Sequence, residues 1–509
     1  MNRDGATLSI WQDGIKNFEA EDIKISALTY DVAIVGGGMT GISTALELQK
    51  AGFNCIVLEA QTLGFGTTSG TTAHLNTLLD LTYDEIESKF GEENSKLVLQ
   101  STLGAINLIR TNMRKYNIDC EFTDKKGFQF AVNDEQCKML IANYESSIKA
   151  GCSVTYVKEI PINIAFIKAL AFEDQAQFHP TKYLLGIAEV FEKNGGTILQ
   201  QCRVTGVDKK ENDLLQIETD KGNYSARNLV YATHVPPGVN ILHFRCAPYR
   251  SYVLGFTLRD ANYPDGLVYD FEDPYHYYRT QEIAGQKYVI AGGEDHKTGE
   301  EADTESRYKN LEKYFRQHFN IDKITYRWSS QYFQSADGLA YIGHLPGNPE
   351  NVYVATGYGG NGMIFSNIAA VLLTSLIKTG QHAYKELYNP SRIKPVAGFN
   401  NFVKEAADVV SKLTEKIIGA PKIKELDEIK SDEGKVVKYE GDSIAVYKDK
   451  NNLLHTVSSA CTHIKCNIAW NNTELVWECP CHGSRFTMDG EMITAPARKD
   501  LEKIKFSEE

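Results

Sequence analysis

The stretch YDVAIVGGGMTGISTALELQKAGFNCIVLE, residues 30–59, decides the fold. Asp31-Val32-Ala33-Ile34-Val35 is an apolar, β-branched run of strand length. Met39 to Ala51 carries helical spacing through Ile42, Ala45, Leu46 and Leu48, and Asn54 to Leu58 is a second strand. Between the first strand and the helix, Gly36, Gly38 and Gly41 stand in Gly-x-Gly-x-x-Gly register, with Met39 and Thr40 opening the helix. Glycines there let the backbone approach a pyrophosphate, and the helix N-terminus is aimed at its charge. Glu59 ends the second strand, where a carboxylate accepts from a ribose 2′-hydroxyl. A ligand-free glycine turn would account for the glycines, but not for two strands, a helix and the acid together.

That fingerprint serves NAD and FAD alike, so the following residues decide. Gln61 to His74, QTLGFGTTSGTTAH, is too long and too rich in small hydroxyl residues for an ordinary two- to six-residue connection. It resembles the loop that FAD enzymes of the D-amino-acid oxidase, glycine oxidase and sarcosine oxidase superfamily lay along the flavin. On that resemblance Thr67, Thr68, Ser69 and His74 are FAD-binding candidates. Phe178-His179-Pro180-Thr181-Lys182-Tyr183 resembles the segment opening a helix in the flavin domain, Arg203-Val204 the adenine-side strand, and Leu229 to His234 the strand-to-turn motif. His74 further resembles the histidine that dimethylglycine dehydrogenases bond to the flavin 8α carbon; the alternative is a hydrogen-bonding group in a glycine-rich loop.

Asn351 to Thr356 reads as a strand running into Gly357-Tyr358-Gly359-Gly360-Asn361-Gly362 and an apolar helix. A second NAD site would need another apolar strand ending in an acid, and KTGQHAYKELYNPSR follows instead. The segment, with Gly357, Gly359, Gly360 and Gly362, resembles the superfamily's late FAD motif, whose helix N-terminus faces the flavin's pyrimidine end. Trp328 to Gly343 resembles the approach to it. The resemblance spans roughly residues 30–390. It implies an interleaved architecture: an FAD part at about 30–80, 161–235 and 328–390, and a substrate part at about 81–160 and 236–327. In this superfamily an arginine and a tyrosine commonly hold a substrate carboxylate. Arg279 is the first candidate, Arg250 the second, and Tyr277 the tyrosine; solvated arginines on edge strands are the alternative.

After Pro390 to Pro395, Phe399, Phe402, Val403, Ala406, Val409, Val410, Leu413 and Ile417 repeat at three- and four-residue steps, an amphipathic linking helix within 391–422. A β-rich composition follows from 423. Cys461-Thr462-His463 and Cys479-Pro480-Cys481-His482 are separated by 15 residues. Two cysteines and two histidines also suit zinc. Cys-x-His paired with Cys-x-x-His is the Rieske arrangement, two thiolates on one iron and two imidazoles on the other. CTHIKC and CPCHGSRF resemble Rieske proteins of the cytochrome bc type across 423–509, which makes Cys461, His463, Cys479 and His482 the [2Fe–2S] ligands. The same resemblance implies a disulfide between Cys466 and Cys481, with free buried thiols as the alternative. Phe486 departs from the pattern, standing where such proteins have a tyrosine donor to sulfur; losing that bond lowers the potential within the usual range of about −150 to +300 mV.

With 509 residues, 42% of them hydrophobic, the chain holds roughly three domains of about 150 residues and is not disordered. A net charge of −12 argues against a nucleic acid or an anionic bilayer as partner. The apolar run Ile368 to Ile377 is shorter than the roughly 20 residues of a membrane span, and residues 1–29, read as an N-terminal arm, lack an apolar signal core. A cytoplasmic enzyme is expected. The predicted fold is α/β plus all-β: a Rossmann-like FAD domain interleaved with an α+β substrate domain, then a small antiparallel Rieske domain. The predicted function is oxidation of a small-molecule amine or amino acid by hydride transfer to flavin, with electrons leaving singly through the cluster to an unidentified acceptor. The rivals are an NAD(P)H-driven reductase and a redox sensor.

Overall fold

The computed structural model describes residues 3–20, 29–392, 421 and 428–504. Among these are seven α-helices: α1 (Met39–Lys50), α2 (Tyr83–Phe90), α3 (Glu92–Tyr116), α4 (Asp134–Ala150), α5 (Pro180–Lys193), α6 (Thr304–His318) and α7 (Gly362–Thr379). The predicted linking helix lies outside the described residues.

Strand Tyr30–Val35 sits mid-sheet because every residue but Asp31 is buried, and an apolar run of that kind suits a parallel strand covered on both faces. Cys55–Leu58 and Thr197–Leu199 continue the parallel sheet on one side, and Gly222–Tyr231 and Val352–Thr356 on the other. Tyr341–His344 closes the edge antiparallel. Helix α1 packs against both α5 and α7. Helix α7 is long and apolar enough to cross a membrane by length and composition, and it extends well beyond the run Ile368 to Ile377. Most of its residues are nonetheless buried against the protein, with α1 and α3 as neighbours.

The second sheet runs in the order Ile321–Ser335, Cys246–Leu258, Gln286–Lys297, His276–Ile283, Leu267–Tyr269, Thr123–Ala131, Lys168–Gln177 and His74–Leu75. It roofs the first. Lys168–Gln177 and Ile321–Ser335 belong to this sheet although the sequence reading places all of the first and part of the second in the FAD part. Their ladder partners, Thr123–Ala131 and Cys246–Leu258, are remote in sequence.

Residues 428–504 form a three-stranded meander (Glu433–Tyr439, Asp442–Lys448, Leu454–Ser458) and a four-stranded one (Ala469–Asn471, Val476–Glu478, Arg485–Thr487, Met492–Thr494). This all-β unit is held directly on the rest of the chain. Gln331 Nε2 donates to the Gly483 carbonyl at 2.9 Å, Gly238 N–H to the Pro496 carbonyl at 2.9 Å, and Ser329 Oγ to Glu474 at 2.5 Å. The N-terminal arm is not an appendage. Arg3 and Asp4 are buried in this seam, Asp4 in an ion pair with Arg485 at 2.8 Å.

Candidate active site and cluster-binding site

Between the two sheets lies a cavity of about 780 Å³. Its wall includes Gly36, Gly38, Met39, Thr40, Glu59, Thr67, Thr68, His74, Val204, Gly359, Gly360 and Gly362, so most of the predicted cofactor residues meet in one place. Gly41, Ser69 and Gly357 are not on that wall. A Cβ on Gly41 would lie 1.8 Å from the Gly36 carbonyl oxygen, so Gly41 is there to let the helix approach the strand. Ser69 Oγ instead donates to the Gly64 carbonyl at 2.7 Å. Gly357 has φ +71° and packs against Cys246. Gly41→Val is therefore expected to cost about 1–3 kcal/mol of packing and to yield protein purified without flavin colour, read by visible absorbance and thermal unfolding.

The donors fit a dinucleotide. Gly36 adopts φ +111° at the turn, and the N-cap Gly38 of α1 has no side-chain cap. Glu59 accepts from Gly37 N–H at 2.6 Å and Gln61 N–H at 2.7 Å; burial pushes its carboxyl up, against the pull of those bonds. Thr68 Oγ1 accepts from Met39 N–H at 3.0 Å, tying the 61–74 loop to the start of α1. Tyr269 hydroxyl lies 3.0 Å from His74 Nδ1, while His74 Nε2 is buried without a hydrogen-bond partner. Burial, and then Arg279, hold His74 well below the usual histidine range, so it is neutral.

The α7 N-terminus already has an anion. Asp80 accepts from Gly360 N–H at 2.6 Å and from Asn361 Nδ2 at 2.8 Å, and Asn361 Oδ1 accepts from Asp80 N–H at 3.1 Å. The helix end predicted to face a ring is thus shared with a carboxylate that no periodic pattern marks.

Neither predicted arginine reaches the cavity. Arg279 shares the face of its strand with Tyr277, but the 71–74 loop covers it. It donates to the Thr72 carbonyl at 2.7 Å, Gln281 at 2.8 Å and the Phe178 carbonyl at 3.2 Å, and lies over the Trp11 ring at 5.1 Å. Three of its five N–H groups are spent on the Thr72 and Phe178 carbonyls and Gln281, which makes it a positioning residue for the loop bearing His74 and keeps it off the cavity wall. Arg250 is an inter-domain residue: it donates to Ser329 Oγ at 2.8 Å and pairs with Glu478. Tyr277 does line the cavity, its hydroxyl 2.8 Å from Ser251 Oγ.

The other end of the cavity brings the predicted Tyr277 together with residues that sequence reasoning did not assign to a site. Tyr269, Tyr275, Tyr277 and Tyr332 line it with Asp295, whose carboxylate accepts from Tyr332 hydroxyl at 2.8 Å. Asp295 Oδ1 is buried without a partner. Burial raises its pKa to about 6, with Asp80 adding to the rise and Ser251 and Tyr332 opposing it. The only lysine or arginine side chains on the cavity wall, among the described residues, are Arg203 and Arg498, both at the opposite end beside Val204 and Pro237. Met492 to Ala497 of the C-terminal unit complete that end, where Arg203 donates to the Met492 carbonyl at 3.3 Å.

In the C-terminal unit Cys461 and Cys479 are buried and their sulfurs lie within hydrogen-bond reach, and the Ser484 hydroxyl reaches Cys461. His463 Nδ1 is buried without a hydrogen-bond partner, the atom left free to ligate, while Nε2 meets the Gly238 carbonyl at 3.1 Å. His482 is buried beside His463, His243 and Phe244, with ring centroids 4.9, 5.8 and 5.4 Å away. The two thiols lie together and the two imidazole rings lie together, the pairs of donors that a Rieske cluster would take. Cys466 and Cys481 are joined by a disulfide.

Comparison with known proteins agrees with this geometry. The FAD dependent oxidoreductase (DAO) model matches residues 31–376, and the Rieske [2Fe-2S] domain model residues 420–505. The chain is 32% identical over 476 residues to YhfW of Bacillus subtilis (strain 168), whose name carries a Rieske 2Fe-2S iron-sulfur description, covering 93% of each protein. It is 25% identical over 388 residues to gamma-glutamylputrescine oxidoreductase of Escherichia coli (strain K12), covering 73% of this chain and 89% of that one. Among solved structures, glycine oxidase from Geobacillus kaustophilus superposes with a TM-score of 0.61 at 19% identity, covering 72% of this chain and all of that one. L-proline dehydrogenase from P. horikoshii gives 0.60, also at 19% identity, over 72% and 97%. Oxidoreduction on FAD, with a [2Fe–2S] cluster in the same chain, follows from the two matched domains. The chain belongs to the FAD dependent oxidoreductase (DAO) family and carries a C-terminal Rieske [2Fe-2S] domain.

Proposed function

We propose that the protein oxidises an amine that enters as an ammonium cation and bears no carboxylate, with electrons leaving one at a time through the Rieske domain. The observation that carries this reading is the charge of the substrate end: Asp80 and Asp295 stand with four tyrosines, and no arginine or lysine is among them. Tyrosine faces attract a cation by about 0.5–2 kcal/mol each, and a buried carboxylate attracts it further. A substrate carboxylate would find no cation there, only neutral donors such as the tyrosine hydroxyls beside two acids and a neutral His74. Asp295 Oδ1, titrating near 6, pairs with the ammonium and then takes its proton, because only the free amine can release hydride from the adjacent carbon. FAD, when bound along Gly38, Glu59 and Thr67, supplies the acceptor of that hydride, and the cluster held by Cys461, Cys479, His463 and His482 passes electrons singly. The relative named for gamma-glutamylputrescine supports an amine as donor; the glutamyl part in that name carries a carboxylate remote from the amine, so the absence of a carboxylate rests on the cavity wall alone.

The test is an anaerobic panel of amines, amino acids, NADH and NADPH followed by flavin absorbance. Amines lacking a carboxylate are expected to bleach the flavin at far lower concentration than amino acids. Rapid stoichiometric bleaching by NADH or NADPH would sink the reading. The sign of the pH effect is fixed: Asp295 is protonated below about 6, so affinity for the ammonium rises as pH rises through that value, and Asp295→Asn is expected to flatten the rise. Acid precipitation checks His74: flavin left wholly in the supernatant excludes a covalent bond.

A further inference from the structure

The loop after strand Gly222–Tyr231 joins the two cofactor sites. Ala232, Thr233 and His234 line the cavity, and six residues on, Gly238 offers its carbonyl to His463 Nε2. The next residues emerge at the surface. Val239 is 71% exposed and Ile241 47% exposed, two large aliphatic side chains beside a cluster ligand. Around them the sign of the charge reverses. In a chain of net charge −12, Lys465, Arg498 and Lys499 are all exposed and have no ion-pair partner among the described residues. Lys465 belongs to the ligand loop. Thr462 of that loop donates to the Lys499 carbonyl at 2.6 Å, and Arg498 donates to the Pro237 carbonyl at 3.1 Å. The nearest acid in sequence, Asp500, is committed to Met492 N–H at 2.8 Å.

We propose that Val239 and Ile241, ringed by Lys465, Arg498 and Lys499, form the docking surface for an acidic one-electron carrier protein. An apolar centre with a charged rim is the anatomy of a transient protein interface, and a basic rim selects and steers an acidic partner. A small oxidant that must hydrogen-bond a ligand imidazole from the surface is disfavoured, because the Gly238 carbonyl already meets His463 Nε2 and His482 is buried. The inference rests on the Rieske domain being the electron exit. Two carrier molecules then balance each turnover: RCH2NH3+ plus water and two oxidised carriers give RCHO, NH4+, two carriers each reduced by one electron, and two protons.

The test is binding of an acidic plant-type [2Fe–2S] ferredoxin to the oxidised holoenzyme by calorimetry, with a basic c-type cytochrome as the control of opposite charge. Ferredoxin is expected to bind at about 10 mM salt, where the Debye length is about 30 Å, and to be released at about 1 M, where it is about 3 Å. Lys465→Asp with Lys499→Glu is expected to weaken binding at least tenfold, aspartate being chosen because residue 465 has φ +68°. Val239→Ser, an exposed change, is expected to weaken it several-fold without altering the rim. Ferredoxin that fails to bind the parent, binds the charge-reversed protein within twofold of the parent, or binds more weakly than the cytochrome overturns the proposal. The amine panel without a carrier separates the two readings: a cluster left oxidised by amine removes the electron exit on which this docking depends, whereas a reduced cluster with no ferredoxin binding removes the docking surface alone.

Discussion

Replacing Cys479 by serine is expected to leave a yellow protein that amine still bleaches but that no longer reduces a one-electron acceptor protein of higher potential than a Rieske cluster. The two ligand thiols lie against one another and compete for a proton, which holds Cys461 below the usual thiol range and Cys479 above it. Such a pair is suited to ionise together on a metal. A serine hydroxyl keeps its proton at neutral pH and is a harder, poorer ligand for iron than thiolate. Loss of the cluster would be read as loss of its visible and paramagnetic signatures. The amine chamber is built by Asp295, Tyr277 and Tyr332 on a different sheet, with Asp80 from a loop, and does not touch Cys479, so bleaching should stay within about twofold while reduction of that acceptor falls by at least about 100-fold. Reduction of the acceptor at the parental rate would place the Rieske domain off the path.

What the sequence made legible was what it packs into short windows. The glycine register and Glu59 lie within one βαβ unit, and the metal ligands within two loops, so spacing alone carries geometry. Arg279 and Arg250 show where that stops. Alternation along a strand assigns a face, and Arg279 does share one with Tyr277, but depth depends on what covers the residue. For Arg279 the cover is the Thr72 carbonyl and Trp11; for Arg250 it is Glu478, more than two hundred residues away. Asp80 and Asp295 were missed for the opposite reason. Asp295 follows the apolar run Val289 to Gly293, and a carboxylate inside such a strand was the available signal of a buried task. Asp80 sits in a loop without periodicity, and only its bond to Gly360, far along the chain, gives it meaning. The N-terminal arm was likewise unreadable, since Arg3 and Asp4 are defined by Arg485 and Glu474.

That long-range seam yields the second large effect, with Glu478→Ala expected to undock the Rieske domain. Arg3, Arg250 and Arg485 face Asp4, Glu474 and Glu478, all six buried, and Glu478 stands between Arg250 and Arg485. Burial alone would raise the Asp4 carboxyl, yet Arg485 and Arg3 hold it below the usual range, so the cluster is a set of ions rather than neutral groups. Removing one member of a buried pair costs about 3–5 kcal/mol because its partner is left desolvated and unpaired, equivalent to a factor of about 10² to 10⁴ in a docking equilibrium. Calorimetry should then show the Rieske domain unfolding separately from the flavin domain. The paired change Arg250→Met with Glu478→Leu is expected to recover most of the loss, since a buried ion pair and an apolar pair of similar volume are often nearly equal in stability. Arg485 keeps Asp4 at 2.8 Å in that variant. If Glu478→Ala unfolds in one transition at the parental temperature, the buried charges do not hold the domains together, and the docking rests on the backbone contacts at Gly238 and Gly483 instead.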